Sequence, residues 1–105
     1  MNDLPSVINV DFDKTLTDPE ADEWKPAFQC EPWPDMITGV RNAYESGSRI
    51  IIWTARQWYE APEVAGWLTA NKVPYHGINM GKGGSEIYID DKSCKPEEFL
   101  KMIND

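Results

Sequence analysis

Two short apolar runs, Val7 to Phe12 and Arg49-Ile50-Ile51-Ile52-Trp53-Thr54, set the frame within which this chain can fold. Near-continuous apolar runs that end in polar residues suit strands of a parallel sheet covered on both faces, rather than alternating, half-solvated strands. Between them, Met36 to Ser46 carries Ile37, Val40 and Tyr44 at helical spacing and stops at Gly47, a helix-ending signal. A second helix is expected over Pro62 to Asn71, with Pro62 in its first turn and Val64, Trp67 and Leu68 on one face. Val73 to Met80 predicts a third strand and Glu86 to Asp90 a fourth. Pro96 to Ile103 closes the chain as a helix burying Phe99, Leu100 and Ile103. Alternating strands and helices predict an α/β fold, organised as a single domain over residues 1–105.

The 105-residue length allows one core layer between a sheet and its helices. A net charge of -8 disfavours a broad nucleic-acid or anionic-membrane footprint, and an acidic protein that handles small anions needs a metal to do so. No apolar run approaches the roughly 20 residues of a membrane span, and Met1-Asn2-Asp3-Leu4-Pro5 lacks the basic and apolar regions of a leader. A soluble, cytoplasmic protein is expected. Cys30 and Cys94 have no paired or Cys/His spacing, so they read as free thiols of a reducing compartment.

One segment breaks the alternation. Residues 18–35 hold Pro19, Pro26, Pro32 and Pro34 with several acids and Trp24, Phe28 and Trp33, which predicts a long ordered loop. Because it follows the end of the first strand, it either covers a ligand crevice with aromatic walls or is simply pinned to the core by its tryptophans.

The chemistry concentrates where the strands end. Asp11 and Asp13, in Ile8-Asn9-Val10-Asp11-Phe12-Asp13-Lys14-Thr15, put two carboxylates at the carboxyl end of an apolar strand, a placement that is costly unless a cation, a proton or a reacting group uses it. Thr54 ends the second run, Lys82 lies between glycines in Gly81-Lys82-Gly83, and Asp90-Asp91 ends the predicted fourth strand. Phosphoryl transfer needs this kit. A nucleophile (Asp11) attacks, an acid/base (Asp13) protonates the leaving oxygen and then activates water, and donors (Thr54, Lys82) hold the phosphoryl oxygens. Asp11, Asp90 and Asp91 supply the hard oxygen ligands that Mg²⁺ prefers.

In these residues the chain resembles the haloacid dehalogenase (HAD) superfamily, in its phosphatase branch. The resemblance spans residues 7 to 91 in four ordered motifs: Ile8 to Thr15, Ile50 to Thr54, Lys82, and Ile87-Tyr88-Ile89-Asp90-Asp91. It implies a three-layer, Rossmann-like fold and a Mg²⁺-dependent phosphatase with an aspartyl-phosphate intermediate. It also implies Asp11 as nucleophile, Asp13 as acid/base and, through its carbonyl, a metal ligand, and Thr54 and Lys82 as phosphate binders. The intervals between motifs leave no room for an inserted cap domain, as in members that act on large substrates or close the site with a neighbouring subunit. The position after Asp13 is often Gly in this family and here is Lys14. A small phosphorylated metabolite such as a sugar phosphate is the expected substrate. The alternatives are a nucleotide or nucleic-acid end phosphatase and a non-enzymatic phosphoacceptor or phosphate-binding module, though the order of motifs is not that of a receiver domain.

Other residues keep two readings each. Arg56 either holds a substrate anion or pairs with a surface acid, and Trp58 and Tyr59 either stack on a substrate or pack structurally. The sole histidine, His76, has no partner motif and reads as structural. Five tryptophans exceed what so small a core easily hides. Trp24, Trp33 and Trp58 are therefore candidates for a lid or a homodimeric or homotetrameric interface, whereas Trp53 and Trp67 fit strand and helix core positions.

Overall fold

In the computed structural model, which describes residues 4–81 and 93–104, the two apolar runs form adjacent parallel strands. The order is β1 (Val7–Val10), α1 (Pro34–Glu45), β2 (Arg49–Trp53), α2 (Ala61–Ala70), β3 (Gly77–Asn79) and α3 (Pro96–Asn104), with 3-10 turns at Ala27–Gln29 and Trp58–Glu60. The described strands make a three-stranded parallel sheet in the order β1-β2-β3. Proline opens α1 at Pro34 and also lies in the first turn of α2, where its missing N–H costs no helical hydrogen bond.

Register decides what is buried. Ile8 lies beside Ile50 and Val10 beside Ile52, so these side chains share one face. Against it pack Met36, Ile37 and Val40 of α1, Val64, Trp67 and Leu68 of α2, and Phe99 and Ile103 of α3. Each large side chain fully withdrawn from water contributes roughly 1.5–3 kcal/mol relative to exposure. α1 and α3 approach closely at Gly39, where a Cβ would stand 3.0 Å from Leu100 Cδ2 and 3.1 Å from Phe99 Cε2.

Several expectations need correction. The sheet is not covered on both faces among the described residues: Val7 is 54% exposed, Asn9 is exposed, and Trp53, expected in the core, is 38% exposed. The order β1-β2-β3 advances in one direction, so right-handed crossovers put α1 and α2 on the same face, and α3 packs beside α1. The third layer of the expected three-layer fold therefore has no element among these residues. Strand β1 ends at Val10 rather than Phe12. Strand β3 begins only at Gly77, because Val73 closes the end of α2 by donating to the Leu68 carbonyl and Pro74 has no N–H for a ladder. Helix α1 starts two residues earlier than the spacing indicated, so the loop of 18–35 gives Pro34 and Asp35 to it. Tyr44 leaves the core face of α1 and stands with its ring 5.2 Å from that of His76. The predicted fourth strand, 86–90, lies outside the described residues.

Candidate functional site

Beyond Val10 the chain folds into a tight turn around Phe12. The Phe12 ring is fully buried and meets Trp67 edge-on at 5.0 Å, while its carbonyl accepts the N–H groups of Leu16 at 3.0 Å and Thr17 at 3.2 Å. With Phe12 pointing inward, its neighbours Asp11 and Asp13 are left half-buried. Asp11 Oδ1 accepts the Phe12 N–H at 2.7 Å. Lys14 takes a left-handed backbone, φ 60, and its N–H donates to Thr17 Oγ1 at 2.8 Å. This is a conformation that glycine adopts readily and that disfavours a side chain.

Arg56 forms the centre of the site. Its side chain is 2% exposed and grips Asp13 in a fork, Nη2 to Oδ1 at 2.7 Å and Nε to Oδ2 at 3.0 Å. Nη1 donates to Glu60 Oε1 at 3.2 Å, and Nη2 also reaches the Lys25 carbonyl at 2.7 Å and Cys30 Sγ at 3.5 Å. The guanidinium carbon lies 5.3 Å from the Phe12 ring centre and 5.1 Å from that of Trp24, within cation–π range of both. Burial by itself lowers the Arg56 pKa, but the hydrogen bonds and charge of Asp13 outweigh it, so the net shift is upward and the group stays a cation. Burial also pushes the Cys30 thiol up, against the opposing charge of Arg56.

Thr54 is fully buried, and its Oγ1 accepts the Arg56 N–H at 3.1 Å. The hydroxyl predicted to hold phosphate therefore shapes the turn that delivers Arg56, and it has no surface to offer a substrate in this arrangement. Arg56 is likewise neither a surface ion-pair residue nor an open anion site. Glu60, its second carboxylate partner, was missed in the sequence; the signal was there in the i,i+4 spacing to Arg56. Lys82, Asp90 and Asp91 lie outside the described residues. Among the described residues no group of three or more His, Cys, Asp or Glu side chains gathers as a metal site; of the four residues expected to bind metal, Asp11 through its carboxylate and Asp13 through its carbonyl fall within them.

A cavity of about 400 Å³ opens between Asp13 and the segment 18–31, with Lys14, Asp22, Trp24 and Cys30 among its walls. The segment is therefore not a bare loop. Thr17 pairs with Pro32 as an antiparallel bridge, Asp18 donates its N–H to the Glu31 carbonyl at 2.9 Å, and Trp67 Nε1 donates to the Cys30 carbonyl at 2.9 Å. Of the aromatics expected near the site, Trp24 covers the guanidinium yet is 65% exposed, Trp33 packs on the core, and Trp58 and Tyr59 are exposed. His76 is structural, as its contacts with Ile50 show.

No helix among the described residues is long and apolar enough to cross a membrane. No protein-family model and no curated protein matches the chain. Among solved structures it is similar to the crystal structure of an MCSG target from Vibrio cholerae, with 28% sequence identity, a TM-score of 0.77, and coverage of 95% of this chain and 94% of that one.

Proposed function

We propose that this chain is a Mg²⁺-dependent phosphomonoester hydrolase of the HAD type, acting on a small phosphorylated metabolite such as a sugar phosphate. In the proposed reaction an Asp11 carboxylate oxygen bonds to phosphorus as the bond to the leaving oxygen breaks, and Asp13 gives that oxygen a proton. Water then attacks the aspartyl phosphate, Asp13 takes a proton from it, and inorganic phosphate leaves while the Asp11 carboxylate is restored. The observation that carries the reading is that Asp13, two residues past Asp11 at the end of β1, is gripped by a buried arginine at the edge of a cavity of small-molecule size.

The Asp11 carboxylate and the Asp13 backbone carbonyl are the hard oxygen donors that would suit Mg²⁺, and the Asp90 and Asp91 carboxylates complete the set assigned to it in this proposal. When bound, the ion offsets the charge of the phosphoryl group against the carboxylates. The cavity walls also bear on substrate class. Asp18, Asp22, Glu23 and Glu31 outnumber Lys14 and Lys25 there, which favours a small leaving group over a nucleotide or a nucleic-acid end.

The test is Mg²⁺-dependent release of inorganic phosphate, screened across sugar phosphates, nucleotides and phosphorylated DNA ends. Repeated turnover on a small phosphomonoester, lost in Asp11→Asn, is the expected result. A stable phosphorylated protein that never turns over would instead mark a phosphoacceptor module.

A further inference from the structure

The hydrogen-bonding of Arg56 leaves it little freedom to act as a phosphate ligand. Its Nε–H and both Nη2 hydrogens have partners within the protein, both ring contacts flank its guanidinium, and the residue is 4% exposed. At that exposure a phosphate would have to displace partners the guanidinium already holds. The same guanidinium ties together two parts of the molecule: the Asp13 carboxylate, and the 18–31 segment through the Lys25 carbonyl, Cys30 Sγ and the Trp24 ring. Glu60 holds the far side of the fork at 3.2 Å and accepts the Gln57 N–H at 2.9 Å, so the arginine is anchored to the turn leading into α2.

We infer that Arg56 is a positioning residue that aims the Asp13 carboxylate at the leaving oxygen and couples this aim to the 18–31 segment walling the cavity. The chemical part of the inference rests on the phosphatase reading given above. A planar fork fixes both oxygens of a carboxylate, whereas a lysine ammonium fixes only a point charge, so the residue type matches the task. The coupling runs in both directions: a leaving group that settles against Trp24 and Lys25 bears on the element that orients the proton donor for that same leaving group. Misplacement of a catalytic group by an ångström is enough to slow a reaction a hundredfold.

The experiment compares kcat/KM for two substrates in wild type, Arg56→Met and Arg56→Lys. An alkyl phosphate needs a proton on its leaving oxygen, whereas p-nitrophenyl phosphate expels a stable phenolate and does not. kcat/KM reports only the steps through loss of the leaving group. Arg56→Met is expected to lose about 10²-fold on the alkyl phosphate and less than about tenfold on p-nitrophenyl phosphate, with Arg56→Lys between it and wild type. Hydrogen exchange across 18–31 is measured on the same proteins and on Asp13→Ala, and is expected to quicken in that segment for both Arg56→Met and Asp13→Ala. Equal losses on the two substrates would overturn the positioning role, and unchanged exchange at 18–31 in both variants would overturn the coupling. Wild-type protein that releases phosphate from neither substrate sinks the phosphatase reading and the leaving-group role with it, while the exchange measurement still decides whether Arg56 couples Asp13 to the segment.

Discussion

His76 Nδ1 accepts the N–H of Ile50 at 3.0 Å, and the His76 N–H returns to the Ile50 carbonyl at 2.7 Å. A side chain thus completes the edge of β2 just before β3 begins at Gly77, with Nδ1 as the acceptor and the ring proton on Nε2. His76→Phe keeps a ring against Tyr44 but removes the acceptor, leaving the N–H of a fully buried residue unpaired. The expected cost is about 1–3 kcal/mol, read by chemical denaturation. His76→Asn, whose side-chain oxygen can take the place of Nδ1, is expected to recover part of it. A His76→Phe protein as stable as wild type would contradict this role.

Lys72 stands just beyond the end of α2 with φ 58, the left-handed position that glycine most often fills after a helix. It is exposed, and its carbonyl accepts a bond from Arg41 Nη2 at 2.9 Å, which any residue there can keep. Lys72→Gly is therefore expected to stabilise the fold by up to about 1 kcal/mol, whereas Lys72→Ala, which retains a Cβ, is not. Thermal melting of the two variants separates the backbone effect from loss of charge. Lys14, at φ 60, should show the same ordering of glycine above alanine.

At Gly39 the geometry sets the opposite sign. A larger side chain here meets Leu100 and Phe99 at once, on the contact between α1 and α3. Gly39→Val is expected to destabilise by about 1–3 kcal/mol through overpacking, and alanine to cost much less because helix propensity offsets the tight contact. Equal stability of the valine variant in urea would show that α3 does not pack here as described.

The elements legible in the sequence were those whose evidence is local. Pro34, Pro62 and Gly47 mark helix boundaries through backbone chemistry, and Ile50 and Ile52 announce a buried strand whatever surrounds them. Trp53 and Val7 were misplaced because apolar continuity does not say how many faces a sheet has covered; that follows from the direction of the crossovers, a property of topology. The Asp11 and Asp13 pair was visible as a motif. Its tie to Arg56 was not, since the partners are 43 positions apart and one of many arginine–acid pairings had to be chosen. Thr54 carries a second, local use that a motif does not display: its oxygen accepts the Arg56 N–H, a contact set by the turn after β2, while its O–H stays a donor.

Cys30 provides a pH-dependent prediction. Burial raises its thiol pKa in the folded chain above the ordinary value, so the folded state holds the proton more tightly than the unfolded state does. The resulting contribution to stability is complete below the unfolded thiol pKa and is lost as pH rises through the folded one. Wild type should therefore lose more stability than Cys30→Ala between neutral pH and about pH 9.5, in parallel denaturant titrations. An identical loss in the two proteins would show that Cys30 makes no contribution to the alkaline limb.

Asp11 allows the proposed chemistry to be tested apart from the fold. Asparagine preserves its shape but cannot attack phosphorus, and it supplies a weaker ligand to a hard cation. Asp11→Asn should therefore melt within a few degrees of wild type while losing at least about 10³-fold in turnover, and chelation of the wild-type protein should match that loss until Mg²⁺ is restored. Thermal shift adds a reading independent of turnover. If Asp11 helps to hold the ion, millimolar Mg²⁺ should raise the wild-type midpoint and raise that of Asp11→Asn less, because a ligand stabilises in proportion to its affinity for the folded state. Turnover that persists in the variant, after contamination and deamidation are excluded by mass spectrometry, would remove Asp11 as nucleophile. An equal Mg²⁺ shift in both proteins would remove it as a ligand, and the two roles can fail separately.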